Sequence, residues 1–276
     1  MTEITRVTVK RLLKDKVFYI AAAVTFLISI YIAVTNAPVM AEWINTGESH
    51  GLEDCYFNLI PILGLIFASF VSLFLGVEHS DGTLRNKIIA GHSRTSIFFS
   101  FFAVSSAACL ILTALWAVAG LAGLKWVSFS YGWDTYAIIM VIAACGALFF
   151  AALFTTMSMI IPNKAIGAVA SLVLWFVLLF GCSVICNMLS IPEMIYDYVS
   201  VGESFVQSDP YPNPYYVSGI KRTVMEFITY ICPVCHSINM SNSEVEKPLF
   251  DILGSLGSTV IILIGGCLAF RKKDLK

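Results

Sequence analysis

Six stretches of this chain are long and apolar enough to cross a lipid bilayer, and none contains Asp, Glu, Lys, Arg or His: residues 17–34, 56–77, 97–120, 136–161, 165–189 and 252–270. A bilayer core takes about 20 helical residues at roughly 1.5 Å each. Inside hydrocarbon every backbone amide must find an internal partner, so such runs have to be helices. The expected fold is an all-α integral membrane protein of six transmembrane helices, one domain over residues 1–276. Composition agrees, since 13% of the residues are charged where a soluble domain carries about 25%. A passable cleavage site, Val39-Met40-Ala41, follows the first run. That run exceeds the roughly 7–15 residues of a signal-peptide core and reads as an uncleaved span.

With six spans, both termini share a side with the loops after spans 2 and 4. That side carries 13 of the 17 Lys and Arg residues but 5 of the 18 Asp and Glu residues. Basic loops stay in the cytoplasm, so a plasma-membrane protein with cytoplasmic termini is expected. Residues 1–16 set Ile4, Val7, Val9, Leu12 and Leu13 among Arg6, Lys10, Arg11, Lys14 and Lys16. As an interfacial helix, this segment would bury the first set and offer the second to anionic lipid headgroups. Opposite, residues 190–250 are expected to form an extracellular helical cap. Pro210, Pro212 and Pro214 interrupt it. Beyond them Ile220, Val224, Phe227, Ile228 and Ile231 take helical spacing against Lys221, Arg222, Glu226 and Thr229. This is an amphipathic helix that either dips into the membrane or packs in a small outer cap. Ala143, Ala147 and Ala151, and Gly254 with Ser258, are small-residue stripes suited to close helix packing. Pro61 kinks the second span or marks its outer end, and Pro162-Asn163-Lys164 makes a tight inner turn.

Between spans 2 and 3 lies a compact charged segment, EHSDGTLRNKIIAGHSR, residues 78–94. Ser80 or Asp81 suits an N-cap and Gly91 a left-handed stop, which leaves a short helix between them. Leu84 and Ile88 share a face, Asp81 can pair with Arg85 at i,i+4, and Ser93 can cap the next helix. Positive charge at an inner loop needs no explanation beyond anchoring. The cap, the stop and the apolar edge do, and together with a cationic tip they suit a groove in a partner protein.

Glu78 followed by Gly82-Thr83-Leu84-Arg85-Asn86-Lys87-Ile88 and Gly91-His92-Ser93-Arg94 resembles the loop after span 2 in short six-span permeases of the type-2 ATP-binding-cassette (ABC) transporter family. The basic N-terminal helix, the long connection before span 6 and the closing run 270–276 are similar too. The likeness covers the whole chain, and its specific part is the loop. It implies a coupling helix at 82–90 docking on a separate ATP-hydrolysing subunit. Glu78, Arg85, Lys87 and Arg94 would then make polar contacts with that subunit or with neighbouring helices. It also implies no cofactor in this chain, ATP and magnesium bound by the partner, and a second permease chain, identical or paralogous. Membrane lipid is a further implied contact and nucleic acid is not. Spans 2 and 5 would line the centre, making Tyr56, Phe67, Phe70, Phe74, Trp175 and Phe180 candidates for the translocation path. Short relatives export amphiphilic peptides such as bacteriocins, hydrophobic drugs or lipids.

The residues themselves bear on the energy source. Ion-coupled transporters keep ionisable groups within the membrane, and the six runs have none. The phosphate cradle GxxxxGK[ST] is also absent, so a transporter of this kind would draw on another polypeptide. Neither HExxH nor GxSxG occurs, and catalysis by this chain is not expected. A non-transporting membrane scaffold or receptor is the alternative class. Cys232-Pro233-Val234-Cys235-His236 formally matches a c-type haem attachment pattern, with Met240 as a second axial ligand. A helix running straight into Cys232 speaks against haem, leaving a Cys232–Cys235 disulfide or two free thiols. A zinc site would need a second cysteine pair, whereas Cys109, Cys145, Cys182, Cys186 and Cys267 fall inside apolar runs and read as small hydrophobes.

Overall fold

The structure, a computed structural model, describes residues 2–47, 50–130, 132–201, 204–242, 245 and 247–273. In chain order the helices are α1 (Thr2–Leu12), α2 (Lys16–Asn45), α3 (Leu52–Tyr56), α4 (Ile60–Ser80), α5 (Thr83–Ile89), α6 (Arg94–Gly120), α7 (Gly132–Ile160), α8 (Lys164–Leu189), α9 (Gly219–Ile231), α10 (Pro233–Ser241) and α11 (Pro248–Lys272). Six of them, α2, α4, α6, α7, α8 and α11, are long and apolar enough to cross a membrane. This is the architecture of a multi-pass membrane protein. Helices α2, α6 and α11 outrun their apolar stretches, because polar residues extend a helix freely once it leaves hydrocarbon. Pro61 lies in the first turn of α4, where its missing N–H costs nothing, so it marks the end of the span.

The middle of the bundle is α4, α6 and α7. Of their most apolar windows 61%, 61% and 56% are buried, against 22%, 17% and 28% for α2, α8 and α11. Phe67, Phe70 and Phe74 of α4, Phe98, Phe101 and Trp116 of α6, and Phe150 and Phe154 of α7 fill this core. Lipid is as apolar as these rings, so close van der Waals packing is what favours the assembled state. Ala143, Ala147 and Ala151 are buried where such packing requires small residues.

The N-terminal helix differs from expectation. Ile4, Thr8 and Leu12 form a buried stripe at i, i+4 and i+8, while Val7, Val9 and Leu13 are exposed. The helix docks on α6, and protein claims two of the five apolar residues assigned to lipid, Ile4 and Leu12.

The connection between α8 and α11 is not all helical. Strand β1 (Met194–Ile195) pairs antiparallel with β4 (Tyr211–Pro212), and β2 (Tyr198–Val201) with β3 (Ser204–Gln207), Val199 facing Val206. Tyr, Val and Phe favour strands, and two-residue edges accommodate Pro212. After the strands α9 turns inward along α11. There Ser258 Oγ donates to the Ile231 carbonyl, and a Cβ on Gly254 would collide with the Tyr230 carbonyl oxygen. Ser258 lies roughly 15 Å along α11 from its start. The chain reverses at Cys232 and Pro233, and α10 returns with Val234, Cys235, His236, Ser237, Ile238 and Met240 buried. Its neighbours are α4, α7 and α8. The α9–α10 hairpin thus packs on the bundle at the end opposite the termini.

Candidate functional site at the termini end

The segment 78–94 folds as a short helix with sharp ends. Asp81 closes α4, and Gly82 (φ 67°) begins α5 in a left-handed conformation. The expected cap at Ser80 or Asp81 is displaced because α4 runs on to Ser80, and only a residue without a Cβ reverses the chain so tightly. Gly91 (φ 88°) ends α5 as expected. Its N–H donates to the Ile88 carbonyl at 3.0 Å, and the His92 N–H donates to Lys87 at 3.2 Å, the paired bonds of a Schellman stop. Ser93 caps α6 by accepting from the Ser96 N–H at 3.2 Å.

Glu78, in the last turn of α4, is 2% exposed. One carboxylate oxygen pairs with Arg11 of α1. The other accepts from Lys87 Nζ and Thr83 Oγ1 of α5, each at 2.5 Å. Arg11 lies over the Phe74 ring at 4.3 Å and donates to the Phe74 carbonyl, and Lys87 lies 4.5 Å from the Phe101 ring centre. One buried anion thus joins three helices. Burial, with Arg11 adding to it, pushes the Lys87 ammonium down to about 8, and burial lowers Arg11 as well.

The apolar edge of α5 faces inward. Leu84 is buried, Ile88 partly so, and they seat the helix on its own bundle. This corrects the expectation that the edge meets a partner. The outward surface is Arg85, Asn86, Ile89 and Ala90, with Ile89 73% exposed. Asp81 and Arg85 form no ion pair.

Other basic residues at this end close helix termini. Arg94 donates to the Phe270 and Arg271 carbonyls of α11 at 3.2 and 3.1 Å, and to the Lys273 carbonyl. His79 Nε2 bonds the Ser158 carbonyl of α7 at 2.9 Å, and Lys273 Nζ donates to the Met159 carbonyl at 3.0 Å. Carbonyls at a helix C-terminus lack the i+4 amide that satisfies those further back, and cations suit the negative end of the helix dipole. The tail beyond Lys273 lies outside the described residues.

Of the aromatic candidates, Tyr56, Phe67, Phe70, Phe74 and Trp175 are buried within the single chain, and Phe180 alone is open, at 66%. Tyr56 ends α3, at the start of the apolar stretch Leu52–Ser80, and packs on Trp116, ring centres 5.3 Å apart.

The opposite end holds two features the sequence did not announce. First, α11 starts early enough to include Asp251, 8% exposed. The hairpin brings His236 Nε2 within 3.4 Å of it, and Nδ1 within 3.0 Å of Ser255 Oγ. The premise of a bundle without ionisable groups is therefore corrected. Second, Cys182 and Cys186 of α8 meet Cys232 and Cys235. The cavity beside His236 is about 20 Å³, far too small for a porphyrin. A polar vestibule of about 580 Å³, bounded by Cys186, Arg222, Glu226, Lys247 and Asp251 among others, opens at this end. No protein-family model and no curated protein matches the chain.

Proposed function

We propose that this chain is the membrane-spanning permease subunit of an ABC-type exporter in the plasma membrane, with both termini cytoplasmic. A separate nucleotide-binding subunit hydrolyses ATP, and a second permease chain completes the pathway. The observation that carries this is the Glu78 junction. A short capped helix presents a polar-apolar face outward while its inner side is ion-paired to α4 and, through the same carboxylate, to α1. A push on α5 then reaches a core helix without loss in a flexible loop, which is what a motor acting from outside requires. Residues 82–90 would be the coupling helix, and Arg85, Asn86 and Ile89 its contact face. Glu78, Lys87 and Arg94 would hold it in position. The cargo classes suggested by the resemblance, amphiphilic peptides, hydrophobic drugs or lipids, go with a pathway bordered by lipid-facing helices.

The test is co-expression with a candidate ABC-type ATPase subunit, followed by pull-down and vesicle assays. Wild type should recover the ATPase and support cargo-stimulated ATP hydrolysis. Replacing residues 82–90 by a Gly/Ser linker should abolish both. Full recovery and stimulation with the linker would refute the proposal, and so would cargo transport by the purified chain without an ATPase.

A further inference from the structure

Three of the eight cysteines converge where α8 meets the turn of the α9–α10 hairpin, and a fourth, Cys186, follows Cys182 one helical turn along α8. The Sγ atoms of Cys182, Cys232 and Cys235 all lie within 4.8 Å of one another, and Cys182 to Cys232 is 3.5 Å. Cys186, one helical turn from Cys182 on the same face, has its thiol engaged with that of Cys235. The pairs come from two elements, C-x3-C on a helix and C-x2-C at a helix start. A tetrahedral ion with metal–sulfur bonds of about 2.3 Å sets its sulfurs roughly 3.8 Å apart, close to the spacing here. A disulfide needs about 2.05 Å.

We propose that Cys182, Cys186, Cys232 and Cys235 are the ligands of a tetrahedral thiolate site for one thiophilic ion of the zinc(II) class, which pins the hairpin to α8. The second cysteine pair that zinc requires is Cys182 and Cys186, far off in sequence and adjacent in space. On binding, the four thiols give up their protons to water and each sulfur donates a pair to the ion. The resulting negative charge sits at the N-terminus of α10, whose Cys232 is the N-cap and whose dipole favours anions. Cys186 lines the polar vestibule of about 580 Å³, which supplies the entry path for a hydrated ion. Soft sulfur ligands alone exclude calcium and magnesium, which take oxygen.

The full chain, purified in detergent with reductant and stripped by chelator, is titrated with zinc and separately with cobalt(II). One ion per chain is expected, with the intense red absorption of tetrahedral four-sulfur cobalt. Cys182→Ser and Cys232→Ser should weaken zinc binding beyond the ~10–100-fold typical of losing a supporting group. Cys55→Ser and Cys145→Ser, outside the cluster, should leave it unchanged. Zinc should raise the thermal midpoint of wild type but not of the quadruple Cys→Ser variant. Should the serine variants fail to fold, the wild-type cobalt spectrum decides, since absence of thiolate bands overturns the proposal. So does peptide mapping that finds Cys182 joined to Cys232 in protein isolated without reductant.

Discussion

A carboxylate as buried as Glu78 is tolerated only because two cations and a hydroxyl reach it. Breaking a buried pair leaves charge uncompensated, while replacing every member by apolar groups of like size is close to neutral. Two outcomes follow for thermal unfolding in detergent. Glu78→Gln leaves Arg11 and Lys87 facing each other and should cost roughly 3 kcal/mol. The triple variant Arg11→Met, Glu78→Leu, Lys87→Met should stay within about 1 kcal/mol of wild type, yet lose cargo-stimulated ATP hydrolysis. A stable triple variant with full stimulation would reduce the junction to a structural tie. Only part of this was legible in the sequence. Glu78, Thr83 and Lys87 lie within ten residues, but a helix end and a glycine turn separate Glu78 from the other two, and their spacing does not pair them. Arg11 is one of five basic residues in its segment, and no local spacing says that it alone turns inward.

At the scale of elements, the two faces of α5 should separate stability from coupling. Leu84→Ala empties a buried seat and should destabilise the fold by about 2–5 kcal/mol. Ile89→Glu alters a residue 73% exposed and should leave the melting midpoint unchanged, while ATPase recovery in pull-down falls at least tenfold. Equal effects of the two would mean the outer face contacts nothing. The existence of α5 and its Gly91 stop could be read from residue types, because a left-handed stop has a chemical signature. Which face points out could not. Leu84 and Ile88 are as consistent with a partner's groove as with the chain's own bundle, and three-dimensional packing decided between them. The hairpin was half legible for a similar reason. The periodicity of α9 is local, but its depth depends on Gly254 and Ser258 in α11, and the strands before it carry no strong alternation.

For the whole molecule, six uncharged runs were enough to foresee six spanning helices, since hydrocarbon leaves the backbone no alternative. How those helices partner is a property of surfaces, and here α8 stands out. Ile166, Val169, Val173, Val177, Phe180 and Val184 form one exposed stripe along it. Lipid could cover such a stripe in a lone chain. In a pair of permease chains, α8 with α4 would border the shared centre. A photoreactive amino acid placed at Val177 or Phe180 distinguishes these. In membranes it should trap a dimer of this chain, or a heterodimer with a paralogous permease. The same probe at Ile20 or Leu27, exposed on α2, should trap none. A fluorescent protein fused after Lys276 should fold and emit, as cytoplasmic termini require. Crosslinks from α2 but not α8 would move the second chain to the other side of the bundle and take Phe180 out of the pathway.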